Sequence, residues 1–124
     1  MSQKTIPSAE DFARAKLIMR KNYQGLSEVS ESILKLFRKR GLHEIFVLYS
    51  PKTDSFGAYV FYDLESQIEE ARDSGLEKEI RNSVFSELER VGRGSRDAIC
   101  LDFVFDSHEN VELNYEGDYF LRLR

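Results

Sequence analysis

The hydrophobic positions of this chain follow two periods, one typical of strands and one typical of helices. Residues 45–49 and 56–62 are β-branched and aromatic runs on either side of a turn-rich connection, which predicts an antiparallel hairpin. Alternation of apolar and polar residues returns at 99–106 and 111–119, which predicts two further strands joined by a polar corner. Four strands are therefore expected, or five if the last residues add another.

Helical spacing marks the segments before and between these strands. The first predicted helix covers 8–23, and the second begins near Ser27 and ends at Gly41. A capping-box pattern at Ser74–Glu77 opens an apolar stripe that predicts a long helix, whereas 64–72 is either a shorter helix or an acidic loop.

The length and the order of these elements together predict the fold class. The 124 residues fit one domain, spanning 1–124, because they leave little room for a second core. The elements follow one another in the order ααββααββ. We therefore expect an α+β fold in which helices pack on one face of an antiparallel sheet of four or five strands.

Composition excludes several classes of protein. Hydrophobic residues at 41% and charged residues at 32% indicate a folded chain rather than a disordered one. The start of the chain lacks the hydrophobic segment of a secretory signal, and no apolar run reaches the roughly 18 residues of a membrane helix, so a cytoplasmic location is predicted. The single cysteine, Cys100, is predicted to pack inside a strand. No cofactor and no metal site is predicted.

Candidate catalytic residues are confined to the polar corner. Asp106, His108 and Glu109 stand close together in sequence, but neighbours at a turn rarely converge on one point. A polar hairpin corner is the favoured interpretation, and a hydrolase built on His108 and Asp106 is the least supported alternative. The protein is therefore predicted not to be an enzyme.

Formal charge is distributed unevenly along the chain. Residues 1–43 contain 9 Lys and Arg against 4 Asp and Glu, whereas residues 44–124 contain 9 against 18. The acidic part suits a basic protein partner, since carboxylates steer association and bind Arg and Lys side chains. The predicted partner-binding residues lie on or beside the last two predicted strands: Asp102, Asp106, Glu109, Glu112, Glu116 and Asp118.

The basic part leaves an alternative open, namely a regulatory protein that binds nucleic acid through the first two predicted helices. The cations of this part are interspersed with apolar positions in the way that any solvated helix face shows, so a solvated surface is the favoured interpretation. The residues that would carry it are Lys16, Arg20, Lys21, Lys35, Arg38, Lys39 and Arg40.

Three segments carry a resemblance to a known class of proteins. They are the aromatic hairpin from Ile45 to Asp63, the amphipathic helix after it, and a closing pair of segments with an ending of the V-x-x-x-Y-x-x-D type. Over residues 44–121 the chain resembles the small immunity proteins of bacterial toxin systems, including the YezG-type family and contact-dependent growth inhibition immunity proteins. The resemblance implies a non-enzymatic cytoplasmic antitoxin that binds and neutralises one cognate toxin, often a nuclease delivered by a competing neighbour cell.

Overall fold

The computed structural model describes residues 8–10, 13–14 and 22–124. Residues 9–10, 13–14 and 22–23 are helical, and the rest of the helix predicted over 8–23 lies outside the described residues. In chain order the described elements are α1 (Leu26–Phe37), a 3-10 turn (Arg38–Arg40), β1 (Leu42–Ser50), β2 (Ser55–Tyr62), α2 (Ser66–Ser74), α3 (Leu76–Arg90), β3 (Leu101–Ser107), α4 (His108–Asn114) and α5 (Tyr119–Arg122).

The predicted hairpin and the helix before it are present. β1 and β2 pair antiparallel, with Val47 opposite Ala58. Gly41 separates the 3-10 turn from β1 at a φ of 104°, the left-handed conformation that favours glycine. The helical spacing groups Leu36 with Val29, Ile33 and Phe37 on one side of α1, but Leu36 is 61% exposed whereas the other three are buried.

The sheet differs from the predicted one in both size and direction. Within the described residues it contains three strands in the order β1-β2-β3, and β3 runs parallel to β2, with Ala58 opposite Phe103. The expected antiparallel sheet of four or five strands is therefore wrong, although the general α+β class fits. The physical reason is the α2–α3 crossover, which returns the chain to the end of the sheet at which β2 begins.

The strand predicted over 111–119 is also wrong, because α4 and α5 occupy this region. The Ser107 side chain caps α4 by accepting a hydrogen bond from the Asn110 N–H, and the Asp118 side chain caps α5. Val111 and Tyr115 stand four positions apart, so a helix groups them as well as alternation does. Leu113, which alternation would bury beside them, is 77% exposed.

The core lies between one face of the sheet and the helices α1 and α3. The long predicted helix is confirmed as α3, which buries Leu76, Ile80, Val84 and Leu88. Its predicted capping box is wrong, since Ser74 ends α2 and Gly75 takes the N-cap position at a φ of 87°. The predicted core side of the third strand is confirmed, because Leu101, Phe103 and Phe105 pack against the core cluster. Cys100 is exposed rather than packed.

Within the described part of the chain, the opposite face of the sheet is covered at one end only. There Tyr119 of α5 packs its ring against Phe46 and Phe61. We call this side of the sheet the open face. Its side chains form three rows across β1, β2 and β3: Glu44, Phe61 and Asp106; Phe46, Tyr59 and Val104; and Leu48, Gly57 and Asp102.

β1 forms one edge of the sheet. The Phe56 N–H donates a hydrogen bond to the Cys100 carbonyl. The N–H and C=O groups of Phe56, Ala58 and Val60 therefore point toward β3, because these groups alternate sides along a strand. In the antiparallel register their β1 partners, Tyr49, Val47 and Ile45, turn their own backbone groups outward. The Ile45 N–H is satisfied by the Glu44 carboxylate at 3.1 Å.

Candidate functional site

Both histidines of the chain meet at the end of the sheet where β1 begins and where β2 and β3 end. The rings of His43 and His108 stack with their centroids 3.8 Å apart and their planes 13° from parallel. His43 Nδ1 donates to the Asp63 carboxylate at 2.8 Å. Two residues far apart in the sequence therefore form one polar cluster at the end of the sheet.

Tyr119 joins this histidine pair to α5. His108 Nε2 lies 3.0 Å from the Glu112 carboxylate, and His108 Nδ1 lies 2.6 Å from the Tyr119 hydroxyl. A neutral imidazole that donates from Nε2 to Glu112 accepts at Nδ1, so the tyrosine donates. Burial is the main cause that raises the Tyr119 pKa to about 12, and the carboxylates of Glu44, Glu112, Asp106 and Asp63 raise it further.

Asp106 is a structural residue rather than part of an accessible surface. It is 6% exposed, and its carboxylate accepts hydrogen bonds from the Arg122 guanidinium at 2.5 Å and from the Asn110 amide at 3.0 Å. Asp106, predicted as a partner-binding residue, therefore lies beneath the accessible surface rather than on it. The alternation over 99–106 predicts correctly that Asp106 faces the same side of the sheet as Asp102. Arg122 of α5 then covers the Asp106 carboxylate.

The other predicted partner-binding residues are exposed but do not form one line. Asp102 lies on the open face of β3, and Glu109 and Glu112 lie on α4. Glu116 follows α4 at a φ of 54°, and Asp118 is engaged as the cap of α5. The predicted row along two strands is thus divided, with Asp102 separated from the acids of α4.

The fold adds other carboxylates to those of α4. Glu65, before α2, binds the Ser107 hydroxyl at 2.5 Å, and its N–H donates to Glu109 at 3.1 Å. We call the resulting group the acidic end. Its members come from β1, from the β2–α2 connection and from α4: Glu44, Asp63, Glu65, Glu109 and Glu112. Within the described part of the chain, none of the five forms an ion pair with Lys or Arg.

The basic residues predicted to bind nucleic acid are only partly described. Lys16, Arg20 and Lys21 lie outside the described residues. Lys35, Arg38 and Lys39 are exposed on α1 and the 3-10 turn. Arg40 makes two hydrogen bonds to the Glu79 carboxylate, at 2.7 and 3.1 Å, which raise the pKa of Arg40 and lower that of Glu79.

The positions of Asp106 and His108 give little support to the alternative of a hydrolase built on these two residues. Asp106 binds Arg122 and Asn110, whereas His108 binds Tyr119 and Glu112, so the two residues do not form a hydrogen-bonded pair. Among the described residues, no group of three His, Cys, Asp or Glu side chains is placed to hold a metal ion. The same residues include no helix that is long and apolar enough to span a bilayer.

Sequence reasoning missed the histidine pair and the role of Tyr119. One local signal was present: Ser107, followed by an acid at Glu109, is a helix N-terminus pattern in what was interpreted as a hairpin corner. The stacking of His43 on His108 has no local signal, because it depends on β1 beginning at the end of the sheet where β3 ends. Comparison of the chain with protein-family models, with curated proteins and with solved structures found no match.

Proposed function

We propose that this protein is a non-enzymatic immunity protein that binds a cognate toxin domain and neutralises it by covering the toxin's basic surface. The observation that carries the proposal is the acidic end. Five carboxylates from separate parts of the chain surround a histidine pair there, without an arginine or lysine partner among the described residues.

A nuclease toxin supplies the complementary surface. A nuclease concentrates Lys and Arg around its active site because it must bind the phosphate backbone of its substrate. Carboxylates compete for the same side chains, since charge-assisted hydrogen bonds from Arg to carboxylate and from Arg to phosphate share one geometry. An acidic surface of this kind both speeds encounter with a basic partner and excludes the substrate.

The partner surface proposed here corrects the one expected from the sequence. Asp106 is removed from it, because its carboxylate is held by Arg122. Asp63 and Glu65 join it, since the end of β2 brings them beside α4. Glu109 and Glu112 remain in it as members of the acidic end, and the exposed Glu116 also remains, next to the acidic end in the turn after α4.

The test is protection of growing cells against any toxin domain that a neighbouring gene encodes. Co-expression of the native chain should restore growth. Glu112→Lys combined with Glu116→Lys should slow association of the purified proteins about tenfold at low salt, because local charge steers encounter. The thermal midpoint of the free variant should stay close to the native value.

A matched control separates local charge from net charge. Glu31→Lys combined with Glu89→Lys makes the same change in net charge at exposed positions of α1 and α3, which lie on the other side of the sheet from the open face. We expect native association from this control. Equal slowing by both double variants, or failure of the native chain to protect, would remove the proposal.

The rival function, binding of nucleic acid, retains one specific observation. Lys35, Arg38 and Lys39 are exposed and form no ion pair within the described residues. Retention on duplex DNA at low salt that is lost in Arg38→Ala combined with Lys39→Ala would favour this rival. Absence of retention would remove it.

A further inference from the structure

The open face contains a hollow at the end that α5 leaves uncovered. Its floor is Gly57, which has no side chain and lies between Leu48 on one side and Asp102 on the other. Tyr59 and Val104, from the neighbouring row, line the hollow as well, and its volume is about 480 Å³. Leu48 is 39% exposed and Val104 37% exposed, so the walls of the hollow remain accessible.

Gly57 keeps this hollow open. A Cβ atom built on Gly57 would lie 3.3 Å from the Tyr59 ring, which is closer than ordinary van der Waals contact. The tyrosine ring therefore leans over bare backbone. The result is a slot with an aliphatic wall, an aromatic wall and a carboxylate at one end.

Among the described residues that line the hollow, Asp102 is the only charged one. No hydrogen bond or ion pair to its side chain occurs in the described part of the chain. A carboxylate without a cation, placed beside apolar and aromatic side chains, is complementary to a cationic side chain with an aliphatic stem.

A second aspartate on β3, Asp106, binds an arginine of this chain. Asp106 lies on the same face of β3 as Asp102, four residues farther along the strand. Its carboxylate holds the Arg122 guanidinium, and that guanidinium also lies 5.8 Å from the centre of the Tyr115 ring. Asp102 and Tyr59 offer the same combination of carboxylate and tyrosine, and no arginine among the described residues binds Asp102.

We propose that the hollow receives an arginine side chain of the toxin, with its stem over Gly57 and its guanidinium on Asp102. Arginine fits better than lysine, because its planar group binds a carboxylate through two hydrogen bonds and stacks on an aromatic ring. This inference rests on the proposed function, since it names one contact within that complex. It adds an anchor on the open face to the steering charges of the acidic end.

The first test needs no toxin. N-acetyl-argininamide is titrated into the ¹⁵N-labelled full chain, and N-acetyl-citrullinamide serves as the neutral probe of the same shape. The arginine probe should shift the amide signals of Gly57 and Asp102 in a saturable way, about tenfold more tightly than the citrulline probe. Asp102→Asn should abolish the difference between the two probes. Equal binding of both probes, or shifts that Asp102→Asn leaves unchanged, would overturn the inference.

The second test distinguishes this inference from the proposed function. In the toxin complex, Asp102→Asn should raise the dissociation rate about tenfold and change association less than about twofold, because the contact is buried on binding. If the Asp102→Asn complex dissociates at the native rate while Glu112→Lys/Glu116→Lys associates more slowly, the arginine contact in the hollow is wrong and the proposed function stands. If the native chain fails to protect cells, the proposed function is wrong. The titration with the two probes then tests arginine binding in the hollow independently.

Discussion

Tyr62 is a buried residue whose hydroxyl has no hydrogen-bond partner among the described residues. It is 1% exposed, and burial is the main cause that raises its pKa to about 12. A polar group left unsatisfied in a core lowers stability by about 1 to 3 kcal/mol. We therefore expect Tyr62→Phe to raise the free energy of unfolding by about 1 kcal/mol, as measured by urea denaturation at neutral pH.

The control for this prediction is the other tyrosine with a strongly raised pKa. Tyr119→Phe loses a hydrogen bond to His108, so it should lower stability where Tyr62→Phe raises it. Alkaline pH gives a second check. The unfolded chain releases the Tyr62 proton near pH 10 and the folded chain near 12, so stability falls as pH rises between about 10 and about 12. Tyr62→Phe should make that fall shallower.

The Asp106–Arg122 pair is the second residue-scale feature with a measurable energy. Arg122→Met keeps the aliphatic stem but leaves the nearly buried Asp106 carboxylate without its cation, with only neutral donors around it. We expect a loss of about 2 kcal/mol in the free energy of unfolding, smaller than for a fully buried pair because Asn110 remains. Arg124→Met is the matched control and should change stability little. A loss as small as that control would contradict the prediction.

At the scale of elements, α4 depends on its cap. Ser107 accepts the Asn110 N–H at 3.0 Å and donates to Glu65 at 2.5 Å, so it ties α4 to the segment before α2. Ser107→Ala should lower stability by about 1 to 2 kcal/mol in thermal unfolding. Ser86→Ala, on the exposed side of α3, is the control and should be neutral or slightly stabilising, because alanine favours helix. Equal effects of the two changes would contradict the role of the cap.

The sequence predicted correctly those elements whose apolar residues keep the period of a strand or that of a helix over many residues. The hairpin from β1 to β2 and the stripe of α3 are long enough to exclude the other period. Residues 111–119 are too short for this, because Val111 and Tyr115 fit a strand and a helix equally well. The direction of β3 could not be predicted from its own residues, since it depends on the end of the sheet to which the preceding crossover returns the chain.

At the scale of the whole molecule, the sequence predicted that the second part of the chain is acidic, but not where its acids meet. Asp63 and Glu65 reach α4 only because β2 and β3 are parallel and end together. The same arrangement brings His43 to His108. An antiparallel β3 would have placed Asp102, rather than Asp106, at this end of the sheet, so the direction of β3 decides which acids lie beside α4.

The outward edge of β1 has a consequence for handling the protein. No described strand pairs with this edge, and the stretch from Ile45 to Tyr49 contains neither a charge nor a proline that would discourage a neighbouring molecule from adding to it. Glu44 before this stretch and Lys52 after it are the nearest gatekeepers. Neutralising these two residues would make concentrated solutions prone to intermolecular β-aggregation, even where the folded monomer is as stable as before.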